Sequence, residues 1–235
     1  PPPHATRECT RSLVGSEMCI RDRPQAVGPG RRSGFALTYR GESVGRVEMP
    51  LLGTHNALNA AAAVAALTEA GLAFAEIAAG LAAFRGVGRR LELVADKGGV
   101  LLFDDYGHHP AEIRATIRAL RKRYADRRLV IVFQPHQASR TRCLLKEFAA
   151  ALAEADLVWI PPIYFARDSE EERRLVTSDD LAAHVRNEGG EARTLENLDA
   201  VVAHAAQRVR PGDVVVTMGA GNVDEVARGL ALQLR

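Results

Sequence analysis

Apolar and polar positions divide the chain into three parts that differ in pattern. Residues 1–33 carry prolines, glycines and arginines with no apolar period, which predicts disorder. In residues 34–90, two short alternating segments come first and two stretches of helical period follow. This second part predicts a β-hairpin and then two helices, at residues 35–39, 44–49, 54–70 and 74–83.

In the third part, residues 91–235, short apolar runs alternate with amphipathic stretches of helical period. This alternation indicates βαβ units and predicts a doubly wound α/β fold with a mostly parallel sheet. In such folds, ligands bind beyond the carboxyl ends of the strands. The predicted strands cover residues 91–95, 100–104, 129–134, 157–160, 192–194 and 214–218. The predicted helices cover residues 110–124, 141–153, 178–187, 197–209 and 222–233.

Composition narrows the class of protein. The 31 basic and 29 acidic residues are scattered and give a net charge of +2, which does not indicate a nucleic-acid partner. Cys9, Cys19 and Cys143 show neither metal-ligand nor disulfide spacing, which favours a reducing compartment. The longest apolar stretch, residues 60–67, is shorter than the roughly 20 residues of a membrane span. We therefore expect a globular, cytoplasmic protein without a membrane or nucleic-acid partner.

The most specific polar cluster directly follows the predicted strand at residues 100–104. Its letters, DDYGHHP at residues 104–110, place two carboxyl groups, a phenol and two imidazoles at the end of a strand. The start of a helix explains Pro110 and part of the role of Asp105. It does not explain a pair of histidines, so we interpret the segment as part of a site.

The next predicted strand, residues 129–134, ends in a similar way. His136, Arg140 and Arg142 follow it in the letters FQPHQASRTR and enter a helix, where free backbone amides favour anions. A lone histidine in such a loop is usually structural, but two strands that end alike favour a site. The glycine-containing turn after the last strand, residues 218–222, is explained equally well by tight packing.

Two more clusters lie between residues 53 and 90. The letters GTHNALN place Asn56 and Asn59 on one face of a first helical turn, where two amides could bind a purine edge. Capping by Thr54 or Asn56 explains the same residues and is favoured on the motif alone. The letters FRGVGRR at residues 84–90 indicate either arginines that contact phosphates or a solvated basic linker.

These four motifs, in this order and spacing, resemble those of the Mur ligases over about residues 35–235. DDYGHHP with FQPH resembles the branch of the family that adds L-alanine to UDP-N-acetylmuramate. The resemblance implies an ADP-forming carbon–nitrogen ligase of peptidoglycan precursor synthesis, in which ATP activates the muramoyl carboxylate as an acyl phosphate. It also implies that residues 91–235 form a Rossmann-like carboxy-terminal domain, and that residues 34–90 end a P-loop-type central ATPase domain.

The resemblance implies roles for five residues that bind the nucleotide. Asn56 and Asn59 are expected to contact the adenine of ATP, with His55 nearby. Arg90 is expected to contact the phosphates of ATP, and Asp105 is expected to contact its ribose.

Four further residues are expected to line the pocket for the muramoyl group and the incoming L-alanine. These are Tyr106, His108, His136 and Arg140. Catalytic roles are expected for Arg90, His108, His136 and Arg140. No residue is expected to bind a metal, because the family's magnesium ligands would lie upstream of this chain.

The chain also departs from the family pattern. It contains no G-x-x-x-x-G-K-[ST] phosphate-binding loop. Residues 137–139 read Gln-Ala-Ser where Arg-Tyr-Thr is usual, which removes one cation from the pocket. Residues 12–23 look like a translated sequencing adaptor. We therefore expect residues 1–33 to be non-native and the amino-terminal part of the natural protein to be missing. We also expect this chain to have no ligase activity alone.

Three alternatives stay open at this point. A sibling ligase that recycles murein peptide would be expected to differ at FQPH. A binding domain without turnover would keep affinity for nucleotide. A metal-dependent phosphoesterase would use oxygen and imidazole ligands, namely Asp104, Asp105, His108, His109 and His136.

Overall fold

The computed structural model divides into two compact units, Pro1–Gly86 and Val87–Arg235. Each unit has its own hydrophobic core, and no core cluster draws described residues from both units. The division falls shortly before the boundary between residues 90 and 91 that the sequence predicts. The structure describes residues 10–11, 18–20, 25–27, 32–39, 41–51 and 53–234.

The first unit is a small antiparallel sheet with two helices. The predicted hairpin is present as β4 and β5, and β2 and β3 pair with the other edge of β4. The two predicted helices are present as α1 and α2. The elements are β1 Thr10–Arg11, β2 Met18–Ile20, β3 Gln25–Val27, β4 Arg32–Tyr39, β5 Glu42–Met49, α1 Thr54–Glu69 and α2 Phe74–Ala83.

Part of the segment for which we predicted disorder is ordered. The strands β1, β2 and β3 lie within residues 1–33, and Met18 and Ile20 are buried in the core beside α1. The pattern missed these strands because they are only two or three residues long. They form because their backbone groups are hydrogen-bonded to neighbouring strands of the sheet. The rest of residues 1–31 lies outside the described residues.

The second unit has the predicted α/β fold. Its sheet has the order β10-β9-β8-β11-β7-β6, and every neighbouring pair is parallel except β6 with β7. Its strands are β6 Glu92–Lys97, β7 Val100–Asp105, β8 Leu129–Phe133, β9 Leu157–Ile160, β10 Ala192–Thr194 and β11 Val214–Met218. Its helices are α3 Pro110–Arg123, α4 Ala138–Cys143, α5 Leu145–Leu152, α6 Glu170–Arg173, α7 Ser178–Asn187, α8 Leu198–Arg208 and α9 Asp224–Gln233.

The local details of this unit differ from the prediction at three places. The helix predicted at residues 141–153 begins at Ala138 and is interrupted at Leu144, where φ is −112° and ψ is 21°. The helix α6 was not predicted, because four residues are too few to show a period. The strands β6 and β7, between which no helix was predicted, form an antiparallel hairpin, since Gly98 and Gly99 make a turn with positive φ.

The sheet is buried on both faces. Along β7, Leu101 and Phe103 belong to one core cluster, whereas Val100 and Leu102 belong to the other. This explains the apolar runs of the inner strands β7, β8, β9 and β11, as expected for a parallel sheet covered on both sides, whereas the edge strands β6 and β10 carry charged residues. Among the described residues, no helix combines the length and the hydrophobicity that a bilayer span needs.

Candidate active site

The polar motifs emerge side by side because β11 lies between β7 and β8. The register pairs Met218 of β11 with Asp105 of β7 and with Phe133 of β8. A fourth loop joins them, since His136 forms an isolated parallel bridge with Tyr164. We call the four segments the β7 loop (residues 106–109), the β8 loop (134–137), the β9 loop (161–169) and the β11 loop (219–223).

Asp104 holds Arg89 in place. Its Oδ1 accepts a hydrogen bond of 2.6 Å from Thr217 Oγ1, and its Oδ2 accepts one of 2.9 Å from Arg89 Nε. The other guanidinium nitrogens of Arg89 donate to the carbonyl oxygens of Gly219 at 2.8 Å and Gly221 at 2.9 Å. Asp104 and Arg89 therefore connect the start of the unit to the β11 loop, and their charges are already neutralised.

Asp105 shapes the β7 loop from inside. Its Oδ1 accepts from the Gly107 amide at 2.7 Å and its Oδ2 accepts from the Leu91 amide at 2.8 Å. Burial raises the pKa of Asp105, and the two backbone amides partly offset that rise. Any side chain at Gly107 would approach Asp105 Oδ1 to 2.6 Å, so the glycine is required there. The expected contact of Asp105 with ribose stays a prediction.

The two adjacent histidines have different surroundings. His109 Nδ1 accepts from the Ala111 amide at 3.3 Å and caps α3, while Glu112 Oε2 accepts from the amides of His109 and His108 at 3.2 and 2.9 Å. Our inference that capping does not explain the pair is therefore wrong for His109. His108 Nδ1 lies 3.0 Å from the carbonyl oxygen of Tyr106, which can only accept, so Nε2 is left for a ligand.

His136 is held by stacking against a second aromatic ring. Its ring lies parallel to that of Tyr164, with centroids 5.5 Å apart, and 6.4 Å from the ring of His108. Its Nδ1 is buried with no hydrogen-bond partner in the described part of the chain. Burial, and then the charges of Arg140 and His108, lower the pKa of His136, so the imidazole is neutral at pH 7.

Two oppositely charged groups complete this part of the site. Arg140 Nη1 is buried without a partner among the described residues. Asp168 is 8% exposed, and its Oδ1 accepts from the amide and the hydroxyl of Ser139, both at 3.3 Å. Its Oδ2 is buried and unpaired within the described structure. Sequence analysis missed Asp168, because it lies in the β9 loop and in none of the motifs.

Arg90 and Tyr106 extend the site towards solvent. The Tyr106 ring meets the ring of His108 edge to face at 5.5 Å, and the guanidinium carbon of Arg90 lies 5.7 Å from the Tyr106 ring centroid. Contacts thus run from Arg90 through Tyr106 and His108 to His136. Within the second unit, the structure brings together the predicted substrate and catalytic residues.

The predicted adenine-binding residues lie in the first unit. His55, Asn56 and Asn59 occupy the first two turns of α1, and Asn59 is exposed. The N-cap of this helix is Gly53, so neither Thr54 nor Asn56 occupies the capping position. The capping interpretation of Thr54 or Asn56 is therefore wrong, and the expected contact with adenine stays a prediction.

The β11 loop is shaped by packing. Gln134 is buried, and its Nε2 donates to Asn222 Oδ1 at 3.1 Å. A side chain at Gly219 would approach the Gln134 carbonyl oxygen to 2.7 Å, and one at Gly221 would approach Gln134 Oε1 to 2.4 Å and the Tyr164 ring to 2.7 Å. Both glycines are therefore required by close approach.

The metal-site hypothesis is contradicted by the positions of its five residues. Asp104 is bonded to Arg89 and Thr217, Asp105 to two backbone amides, and His109 to the start of α3. Among the described residues, no group of three or more acidic, histidine or cysteine side chains is arranged to hold a metal ion. The five candidates do not converge on one point.

A doubly wound domain whose polar loops meet at the ends of its central strands belongs to the class of α/β ligand-binding domains. Residues 89–221 match the family described as Mur ligase, glutamate ligase domain. The match includes β6 to β11 and the β7, β8 and β9 loops, and it ends within the β11 loop. The chain belongs to the Mur ligase family.

Relatives within this family carry more specific names. The chain is 41% identical over 207 residues to UDP-N-acetylmuramate–L-alanine ligase of Geotalea uraniireducens, which covers 88% of this chain and 44% of that protein. A crystal structure of UDP-N-acetylmuramate–alanine ligase from Thermotoga maritima has a TM-score of 0.73 at 24% identity, over 86% of this chain and 43% of that one. A murein peptide ligase from Psychrobacter arcticus has a TM-score of 0.58 at 25% identity, over 89% and 43%. The chain thus spans less than half the length of these relatives.

Proposed function

We propose that the chain is the part of an ATP-dependent ligase that receives L-alanine and joins it to UDP-N-acetylmuramate in peptidoglycan precursor synthesis. The observation that carries this proposal is a pair of buried nitrogens, Arg140 Nη1 and His136 Nδ1, that have no partner among the described residues. Buried polar groups are normally hydrogen-bonded, so such atoms indicate a bound ligand. The names of the relatives support L-alanine as that ligand.

The residues of the site suit amide formation through an acyl phosphate. The neutral amine of L-alanine attacks the acyl carbon and a carbon–nitrogen bond forms. The bond from that carbon to the phosphate oxygen breaks, and the departing phosphate takes up the proton that the amine loses. Arg140 would hold the carboxylate of L-alanine, and Nε2 of His108 would orient the muramoyl group. His136, neutral at pH 7, can hydrogen-bond a substrate without adding charge. Negative charge that develops on the acyl oxygen requires fixed donors of this kind.

ATP, when bound, supplies the phosphoryl group that activates the muramoyl carboxylate. Arg90 fits a contact with its phosphates, because its side chain is exposed, whereas the guanidinium of Arg89 is already hydrogen-bonded to Asp104, Gly219 and Gly221. Asn59, exposed in α1, fits a contact with adenine. We propose these roles together with those of Asn56, His55 and Asp105, and we expect Mg²⁺ to accompany ATP.

The test is a chimaeric ligase. Residues 35–235 would replace the corresponding part of the Geotalea uraniireducens relative, and phosphate release would be measured with ATP and UDP-N-acetylmuramate, with and without L-alanine. We expect release to require L-alanine. Failure of the folded chimaera to use L-alanine would contradict the proposal, and release with murein tripeptide instead would support the sibling ligase.

A pair of arginine variants makes this test specific. Arg140→Gln should lower kcat/KM for L-alanine roughly 10- to 100-fold, because a charged hydrogen bond is lost. Arg142→Gln is the matched control, since Arg142 belongs to the same short helix but is exposed, and it should change little. Equal losses in the two variants would contradict the role given to Arg140.

A further inference from the structure

One buried hydrogen-bond donor and one buried acceptor lie on residues close to His136. Arg140 Nη1 is a donor and Asp168 Oδ2 is an acceptor, and neither has a partner among the described residues. The structure records no ion pair between them, although both residues are described. Asp168 is 8% exposed, so its free oxygen is withdrawn from water.

The positions of the two side chains are linked through α4. Asp168 Oδ1 accepts from the amide and the hydroxyl of Ser139, and Ser139 precedes Arg140 in the chain. Both charges also act on the imidazole of His136, because Arg140 lowers the pKa of His136 and Asp168 raises it. Arg140 and Asp168 are therefore held on neighbouring segments beside His136.

Unpaired charge is costly to bury. A carboxylate oxygen without a hydrogen bond in a water-poor site loses solvation that nothing replaces, as does an unpaired guanidinium nitrogen. A ligand that carries one positive and one negative group would satisfy both atoms. An α-amino acid has this character, since a single carbon separates its ammonium from its carboxylate.

We propose that Asp168 determines specificity for the amino acid by accepting a hydrogen bond from its ammonium group, while Arg140 holds its carboxylate. This inference rests on the proposed function, because it adds a residue to the same site. The competing explanation is that Asp168 only anchors the start of α4 through Ser139. The two explanations differ in what the free Oδ2 does.

The experiment compares three ligands on the 235-residue chain by ligand-observed NMR. L-alanine has both charges, L-lactate replaces the ammonium with a hydroxyl, and L-alaninamide keeps the ammonium but lacks the carboxylate. The unsubstituted chain should bind L-alanine roughly 10-fold or more tightly than L-lactate. Equal binding of L-alanine and L-lactate overturns the proposal without any variant.

The decisive variant is Asp168→Asn, which keeps one acceptor oxygen for Ser139 and removes the charge. It should weaken binding of L-alanine roughly 10- to 100-fold and leave L-lactate unchanged. Ser139→Ala is the control, because it removes a contact that anchors α4 but leaves the charge of Asp168. It should keep the preference for L-alanine over L-lactate.

The remaining outcomes separate the inference from the proposed function. If Asp168→Asn binds L-alanine as well as the unsubstituted chain does, the role of Asp168 is overturned and the proposed function stands. If Ser139→Ala loses the preference for L-alanine over L-lactate as completely as Asp168→Asn does, Asp168 acts through α4 and the inference fails. If the unsubstituted chain binds no L-alanine, the amino-acid site of the proposed function fails, and the inference fails with it.

Discussion

Arg89 and Arg90 are adjacent and chemically identical, yet they have opposite surroundings. The three side-chain nitrogens of Arg89 donate to Asp104, Gly219 and Gly221. Both guanidinium groups lie over the Tyr106 ring, but Arg90 is exposed and makes no side-chain hydrogen bond among the described residues. Position in the motif does not separate the two, because the partners of Arg89 lie 15, 130 and 132 positions away in the chain.

This difference predicts unequal effects on stability. Arg89→Gln should lower the free energy of unfolding by about 2–4 kcal/mol, because it leaves the buried carboxylate of Asp104 without its cation. Arg90→Gln should change it by less than about 0.5 kcal/mol. Urea unfolding followed by the fluorescence of Trp159, the single tryptophan, measures both. Similar values for the two variants would refute the structural role of Arg89.

The ionisation of His136 should depend on Arg140. Arg140→Gln removes a positive charge that lowers the pKa of His136, so that pKa should rise. His204 serves as the internal control, since its pKa is also lowered, but by burial and by Arg193 and Arg208. An NMR titration of the histidines should show one shift and not the other. A His136 pKa that stays where it was would contradict the proximity of the two side chains.

The same lowered pKa has a consequence for stability. In the folded state the pKa of His136 lies below its unfolded value of about 6.5. The unfolded chain therefore binds the proton first as the pH falls, and the contribution of this group is lost as the pH drops through the folded pKa. His136→Gln should therefore make the free energy of unfolding fall less between pH 7 and acidic pH. Urea unfolding at several pH values measures this. An unchanged pH dependence would contradict this.

At the scale of elements, the strands and their carboxyl ends could be predicted, whereas the use of each polar side chain could not. Buried parallel strands are apolar runs, so the strand Leu129–Phe133 could be predicted from the sequence. Asp104 and Tyr106 belong to the same motif, but Asp104 bonds to Thr217, 113 positions later. Asp168 reaches Ser139 across 29 positions, and no local pattern marks that contact.

The cap of α3 supplies a prediction at this scale. Glu112→Ala removes the acceptor of the His108 and His109 amides and should lower the free energy of unfolding by about 0.5–2 kcal/mol. The control is Glu147→Ala, since Glu147 lies in the first turn of α5, is exposed and has no recorded cap bond. Thermal unfolding of both variants measures the difference. If Glu147→Ala lowers the free energy of unfolding as much, the effect comes from a negative charge in the first helical turn and not from the cap.

At the scale of the whole molecule, the unit Val87–Arg235 has complete cores of its own. A chain that starts at Val87 should therefore unfold cooperatively. Its unfolding transition, followed by the fluorescence of Trp159, should match that of the full chain. A chain that starts at Leu91, the boundary that the sequence predicted, lacks Arg89 and should be less stable by about 2–4 kcal/mol. Equal stability of the two shortened chains would show that the sequence boundary was adequate.

The position of β11 affects how the protein is made. This strand is the last of the sheet in the chain, yet it lies between β7 and β8, which are translated much earlier. Until β11 leaves the ribosome, β7 and β8 each have an inner edge of unpaired backbone groups, which can pair with other chains. Translation that stops before Val214 would therefore yield two open half-sheets prone to aggregation, and not a smaller folded domain. We therefore expect the nascent protein to be most prone to aggregation before β11 is translated and to lose this tendency once β11 has paired.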